Sequence, residues 1–396
     1  MSETTSLFSS LPLAGHFINK AARVKPEAFP ENHALSGVAI KKAAKTITAF
    51  PGYRQTPLRT LTTAAEKAGL GEIFYKDESL RFGLKNFKAL GGAYAVLKLV
   101  EEKAGEKEIV ITSSTAGSHG RAIAWGAKMA GVRCVIFIAE GVSKGREKGM
   151  TDLGAEVIRV PGHYEDSFQA AQKAASEHGW HMVCDTTFEG YMDIPLTIMQ
   201  GYGVLGEEIA DQLRTGHDLK VEDLSHVFLQ AGCGGFAAAI MAALLNKCQT
   251  KRPRFILVEP EKANCVLKSM EKGFPVFLEG DISTLMGGLE VAEVSLAAWP
   301  IMQAYGDAVL AINDRAVGPA MKALAEGALG GGEIEAGESA AAGLIGALAV
   351  SCDDELREAL GLDATSKVLV IGTEGAADPE IYEEMTGRKP FVGAKL

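Results

Sequence analysis

Short runs rich in β-branched and aromatic residues recur along the chain. Most are followed by a stretch in which apolar residues return every three or four positions. The runs at 73–77, 108–113, 134–139, 156–160, 181–185, 226–232, 254–260 and 367–375 read as buried strands. The amphipathic stretches at 87–103, 119–130, 167–178, 198–213 and 236–246 read as helices. Such alternation predicts an α/β fold, with helical layers packed on mainly parallel sheets. Residues 92–201 hold four strand–helix units and are expected to form a small domain. Residues 1–91 together with 202–396 are expected to build a larger one, with a ligand cleft between the two. The glycine run at 327–333 reads as a loop rather than a linker. The apolar stretch at 340–350 is too short to cross a membrane and reads as a buried helix.

Composition narrows the function classes. The 396 residues are 47% hydrophobic and 23% charged, an ordinary composition for a water-soluble protein. The net charge of 40 − 50 = −10 argues against nucleic acid as a partner. No run of about 18 apolar residues occurs, so no membrane partner is expected. The opening MSETTSLFSSLPLAGHF lacks a basic region followed by an apolar core, so a cytoplasmic location is expected. Cys134, Cys184, Cys233, Cys248, Cys265 and Cys352 are scattered without a CxxC, which fits reduced thiols. His163, His178, His181 and His226 show no metal-ligand spacing, and no metal is expected.

Four places carry candidate chemistry. In QAGCGGFAAAI, a strand gives way to Gly232, Cys233, Gly234 and Gly235 before a helix opens at Phe236. Glycines let backbone amides converge, and the helix start adds partial positive charge, so the turn suits a phosphate. It lacks the GK[ST] of a nucleotide loop and the spacing GxGxxG, and a tight turn with no ligand is the alternative. In KDESLRFGLKNFKALGGAYAV, Phe87, Leu90, Gly91, Tyr94 and Leu97 recur at helical spacing. This puts Lys88 in a first helical turn, where a cation opposes the dipole. A solvated lysine is the plain alternative. A lysine combined with a phosphate cradle but no nucleotide motif points to pyridoxal 5'-phosphate bound through a Schiff base. In TSSTAGSHGRAIAW, the small residues Ser114, Thr115, Ala116, Gly117 and Ser118 and the helix-opening His119 could receive a substrate carboxylate, or simply cap the helix. Thr373, after a strand, could present a neutral hydroxyl to a ring nitrogen or merely end the strand. Asp185 could hold an ammonium on the substrate or act as a helix cap.

KDESLRFGLKNFKALGGAYA, DTTFEGYMDIPLTIMQGY, QAGCGGFAA, ILVEPEKANC, LMGGL and AGESAAAGL occur in this order, between GYRQTPL near residue 52 and the C-terminal TEG. Together they resemble the tryptophan-synthase-β-like family of fold-type II pyridoxal-phosphate enzymes, and within it the 2,3-diaminopropionate ammonia-lyases. The resemblance implies two three-layer domains with the cofactor in the cleft between them, and a homodimer. It implies Lys88, beside Phe87, as the Schiff-base lysine, Gly232 to Phe236 as the phosphate loop and Thr373 facing the pyridine nitrogen. It implies Ser118 near the cofactor's phenolic oxygen and Asp185 near the substrate. Ser114, Thr115, Ala116, Gly117, His119 and Tyr191 would line the substrate, with Glu189 in the same strip as Tyr191.

The implied reaction is β-elimination on a small 3-substituted amino acid, with 2,3-diaminopropionate giving pyruvate and ammonia. The freed Lys88 amine, its pKa lowered by burial, would take the Cα proton. The chain departs from the family where an aspartate and an asparagine are usual, carrying Ala116 and Ser118 instead. Alanine cannot accept a proton, so the proton abstraction that the family links to that aspartate on a D-substrate is not expected here. A serine, threonine or hydroxyaspartate dehydratase, or another 3-substituted-alanine lyase, shares the same core residues. A catalytically silent cofactor-binding homologue is the reading from another class.

Overall fold

The computed structural model describes residues 13–115 and 117–391. Ala116 and most of the N-terminal stretch considered above lie outside them. Among the described residues the strands are β1 (Leu13–Ile18), β2 (Leu58–Thr60), β3 (Glu72–Asp77), β4 (Val110–Ser114), β5 (Arg133–Ala139), β6 (Glu156–Val160), β7 (His181–Met182), β8 (His226–Gln230), β9 (Arg254–Pro260), β10 (Gly306–Ile312) and β11 (Lys367–Gly372). Seven form one sheet in the order β1-β10-β9-β8-β11-β3-β2, and four form a second in the order β6-β5-β4-β7. The second sheet is wholly parallel. In the first, only the edge strands β1 and β2 run antiparallel to their neighbours.

The larger sheet is covered on both faces, which is why its strands read as unbroken apolar runs. Val227, Leu229, Phe255, Leu257, Leu369 and Ile371 join one core with the helices Asp193–His217 and Gly235–Leu245. Phe228, Ile256, Val258, Val368 and Val370 point the other way, against Leu344, Ala347 and Leu348 of the helix Ala342–Ser351. In the smaller sheet, Cys134, Ile136 and Ile138 of β5 face the first core, which also contains residues of the helices Lys88–Glu102 and Ser118–Ala130. Val135 and Phe137 pack with Ala171 of the helix Tyr164–His178. Each sheet is therefore the middle of three layers.

Two helices pass between the sheets and cross at glycines. A Cβ added at Gly91 would lie 2.5 Å from the Ile198 carbonyl oxygen, and one at Gly201 would lie 2.6 Å from the Gly91 Cα. Only hydrogen at both positions allows this approach. The crossing sits one turn into the helix that begins with Lys88, and so it fixes that lysine against the helix Asp193–His217. The expected boundaries at 91/92 and 201/202 both fall at this crossing, inside continuous helices.

A buried ionic network braces the same region. Lys76 Nζ donates to Glu208 Oε2 at 2.7 Å, to the Thr56 carbonyl at 2.8 Å and to Gln212 Oε1 at 2.9 Å. Arg81 donates to Glu208 Oε1 and to Glu78 Oε2, each at 2.7 Å. Every charge has an opposite partner and further hydrogen bonds, the condition under which burying charge is tolerable. The network ties β3 and the turn before Lys88 to the long helix.

Candidate active site

The candidate residues converge where the C-terminal ends of the strands meet the cleft between the two sheets. Lys88 is the first residue of its helix, inside the first turn that the apolar spacing predicted. Its amide donates to Asn86 Oδ1 at 2.9 Å, a local cap that sets the helix start. Its Nζ lies 2.9 Å from Asp185 Oδ2, and both side chains keep about a quarter of their surface exposed, 23% and 26%. Phe87, just before it, packs its ring against Phe236 at 4.4 Å between centroids and against Tyr202 at 4.8 Å. The lysine and the glycine loop are thereby held side by side.

The glycine loop follows β8 and leads into the helix Gly235–Leu245. Gly234 has φ +89°, the left-handed region that favours glycine. The Cys233 carbonyl accepts from the Ser295 amide at 2.8 Å. A Cβ at Gly232 would press on Val291 at 3.2 Å. One at Gly235 would meet nothing nearer than Cys233 Sγ at 3.8 Å and the Asp185 carbonyl oxygen at 3.9 Å. The loop is thus closed behind Gly232 and open in front of Gly235. The first-turn amides of the following helix have no intrahelical acceptors. Burial pushes the Cys233 thiol up, and so it is protonated.

Thr373 follows β11 and is buried. Its Oγ1 lies 3.2 Å from Gln230 Nε2, which donates to it, and its carbonyl accepts from the Phe87 amide at 3.1 Å. The small-residue segment follows β4. Ser114 Oγ lies 2.8 Å from Ser167 Oγ, Thr115 Oγ1 accepts from the Gly117 amide at 3.2 Å, and Ser118 and His119 begin the helix Ser118–Ala130. Ala116 lies outside the described residues. The strand expected over 181–185 stops at Met182, because the Tyr191 hydroxyl takes over the backbone there. It donates to the Met182 carbonyl at 2.8 Å and accepts from the Cys184 amide at 2.9 Å. Tyr191 therefore holds the stretch that ends in Asp185. Glu189, in the same strip, is exposed.

The electrostatics turn on Asp185. Burial alone would raise its carboxyl, but the Lys88 ammonium against it outweighs that and holds it well below the usual range. Burial likewise works to lower the Lys88 amine, and Asp185 overrides it, so Lys88 is raised. This reverses the expectation that burial would lower it. Burial also lowers His119 and keeps the imidazole neutral.

Several residues of the site were not singled out in the sequence. Asn86 Nδ2 donates to Glu374 Oε2 at 2.9 Å, and Glu374 Oε1 accepts from the Ser339 amide at 3.2 Å. Burial, and next the nearby Glu338, raise the Glu374 carboxyl to about 7. The TEG segment held Glu374 in plain view, but nothing local marks a glutamate that pairs with an asparagine 288 positions away. Among the described residues no group of three His, Cys, Asp or Glu side chains could hold a metal ion.

The arrangement fits pyridoxal phosphate. The glycine-rich helix start is open in front of Gly235, a neutral hydroxyl lies at Thr373, and a buried His119 Nδ1 without a hydrogen-bond partner lies 3.6 Å from the carboxylate that contacts the Lys88 amine.

Comparison with known proteins agrees. Residues 49–374 match the family model described as pyridoxal-phosphate dependent enzyme. Diaminopropionate ammonia-lyase of Escherichia coli K12 is 36% identical over 353 residues, covering 84% of this chain and 87% of its own length. The enzyme of that name from Salmonella typhimurium LT2 is 36% identical over 363 residues, covering 85% and 89%. A crystal structure of the Escherichia coli enzyme in complex with an aminoacrylate-PLP azomethine reaction intermediate superposes with a TM-score of 0.87 at 34% identity, over 96% of this chain and 98% of that one.

Proposed function

The chain belongs to the pyridoxal-phosphate-dependent enzyme family, and from that premise we propose that it is an ammonia-lyase converting 2,3-diaminopropionate and water to pyruvate and two molecules of ammonia. The unit formed by 1–91 and 202–396 holds the cofactor, and 92–201 supplies the substrate loop. The reading carries with it a cytoplasmic homodimer with a small amino acid as its ligand. The observation that carries it is the 2.9 Å contact between Lys88 Nζ and Asp185 Oδ2 beside the glycine-rich helix start. An amine and a carboxylate able to hold a cation, side by side near a helix start suited to an anion, support the reading.

Bound pyridoxal phosphate supplies an aldehyde that takes up amines covalently and a conjugated ring that delocalises negative charge from Cα. The chain's own residues do the rest. The amides at Gly234 to Phe236 would hold the phosphate. The Thr373 hydroxyl, kept in place by Gln230, would offer the ring nitrogen a neutral partner rather than a carboxylate, which would suit elimination more than transamination. Lys88 removes the Cα proton. To act as a base it must first shed the proton that Asp185 stabilises, and arrival of a substrate ammonium at Asp185 weakens that hold. The Cβ–N bond then breaks with its electron pair on nitrogen. The 2-aminoacrylate so formed is hydrolysed to pyruvate and the second ammonia.

The test is the visible spectrum of the purified holoenzyme and of Lys88→Ala, followed by a panel of 3-substituted alanines. The expected result is loss of the long-wavelength band and of turnover in the variant, with two ammonia per pyruvate from the diamino substrate in the parent. Retained absorbance and turnover in Lys88→Ala, or one ammonia per pyruvate from hydroxy substrates alone, would overturn the reading.

A further inference from the structure

We propose that His119 Nδ1 and Asp185 Oδ2 form a paired acceptor for an ammonium group on the substrate's Cβ, which makes His119 a specificity-determining residue. This deepens the function proposed above and rests on it. His119 is only 2% exposed and stands in the first turn of the helix Ser118–Ala130. Its Nε2 lies 3.3 Å from the Val183 carbonyl oxygen. A carbonyl only accepts, so in this contact Nε2 carries the hydrogen. The ring is neutral, and Nδ1 therefore presents a lone pair. That atom is buried and has no hydrogen-bond partner. It points at Asp185 Oδ2, 3.6 Å away.

Two acceptors side by side repel unless a donor lies against both. Lys88 Nζ now satisfies Asp185 Oδ2 at 2.9 Å. When a substrate ammonium takes the place of Lys88 at Asp185, it meets both acceptors of the pair. A Cβ ammonium carries three hydrogens in tetrahedral array and can serve both acceptors. A Cβ hydroxyl carries one and leaves the other acceptor buried and unpaired. The pair also holds the leaving nitrogen protonated. When the Cβ–N bond breaks, its electron pair stays on nitrogen, and neutral ammonia departs with the three protons already present. No further acid is required.

The experiment compares holoenzyme forms of the parent, His119→Leu and His119→Asn with L-2,3-diaminopropionate and L-serine. The readout is the ratio of kcat/KM for the two. It is supplemented by dissociation constants taken from the cofactor spectrum and by 15N NMR of labelled histidine. The expected result is a fall in the diaminopropionate-to-serine ratio of about 10- to 100-fold in His119→Leu. His119→Asn, which places an amide oxygen near the Nδ1 position, should restore most of the ratio. The NMR spectrum should show an unprotonated Nδ1 that shifts when the diamino ligand binds and not when L-alanine does. An unchanged ratio, equal losses for both amino acids, or a protonated Nδ1 in the parent would overturn the proposal. If neither amino acid yields product, the ammonia-lyase reading fails, and the acceptor pair is still judged by whether the two dissociation constants differ and whether His119→Leu removes the difference.

Discussion

Asn86 and Glu374 are joined twice, by a backbone bridge between the turn before Lys88 and the end of β11 and by the 2.9 Å hydrogen bond from Asn86 Nδ2 to Glu374 Oε2. The other end of the Asn86 amide accepts from the Lys88 backbone. On either side, the Gly375 amide donates to the Lys85 carbonyl at 2.8 Å and the Phe87 amide to the Thr373 carbonyl at 3.1 Å. The lysine that opens its helix is thus tied to a strand nearly three hundred residues later in the chain.

Glu374 makes stability depend on pH in a definite direction. Its carboxyl is raised from 4.5 to about 7 by burial and by Glu338, while Ser339, Arg146 and Lys88 oppose the rise. A raised folded-state value means the group's contribution is complete below about 4.5 and is lost as pH climbs through about 7. Glu374→Gln removes this ionisation. Urea unfolding at pH 4.5 and at pH 8 should show the parent losing about 3 kcal/mol relative to the variant between the two. Parallel pH profiles would count against it.

The network around Glu208 should be costly to break from one side. Glu208→Ala leaves Lys76 and Arg81 buried without their shared counter-ion. A loss of about 3–5 kcal/mol is expected, read as a lower urea midpoint. A change below about 1 kcal/mol would mean that water or side-chain movement relieves the charges.

The helix crossing allows a sharp comparison between two glycines. Gly91→Ala would drive a methyl group into the Ile198 carbonyl and the Tyr202 ring, both at 2.5 Å. It should cost at least about 1–3 kcal/mol and loosen cofactor retention, since Lys88 begins the same helix. Gly216→Ala, near the end of the helix Asp193–His217, meets nothing within 4 Å. It should be neutral or stabilise by about 0.4–1 kcal/mol. Thermal unfolding of both variants, with and without added cofactor, checks the contrast.

Gly234→Ala acts on the phosphate loop. Its φ of +89° costs an alanine roughly 1–2 kcal/mol, and its Cβ would lie 2.3 Å from Met302 Cε, the mobile end of a flexible side chain. The expected outcome is cofactor affinity weakened about tenfold or more with the apo fold retained, measured by equilibrium dialysis and circular dichroism. Undiminished affinity would show that the loop does not hold the phosphate.

Much of this site was legible because the relevant signals are local. Continuous apolar runs such as VFL at β8 and ILV at β9 mark strands covered on both faces, and the glycines after β8 mark a helix start. The helical spacing after Phe87 put Lys88 in the first turn of its helix. What the sequence withheld depends on distant partners. Edge strand β1 pairs with β10, and β2 runs antiparallel to β3 for three residues only. Neither has an apolar run long enough to announce itself. Asp185 was visible as a carboxylate near a strand end. Its hold on Lys88, which reverses the effect of burial on the amine, came from a residue 97 positions away. The unpartnered Nδ1 of the neutral His119 ring depends on the Val183 carbonyl and could not be read from a motif.

The place of β11 governs the order in which the molecule can be assembled. Formed by Lys367–Gly372, it lies between β8 and β3 in the interior of the larger sheet. Until it emerges from the ribosome, two half-sheets wait with unsatisfied inner edges, one ending at β8 and the other at β3. The four-stranded sheet, complete by residue 182, is free to form beforehand. The keystone strand therefore comes late in synthesis, ahead of the helix Pro379–Thr386, and it brings Thr373 and Glu374 to a reactive lysine made long before. A nascent chain halted at residue 366 would have its small sheet, an open seam and no working centre.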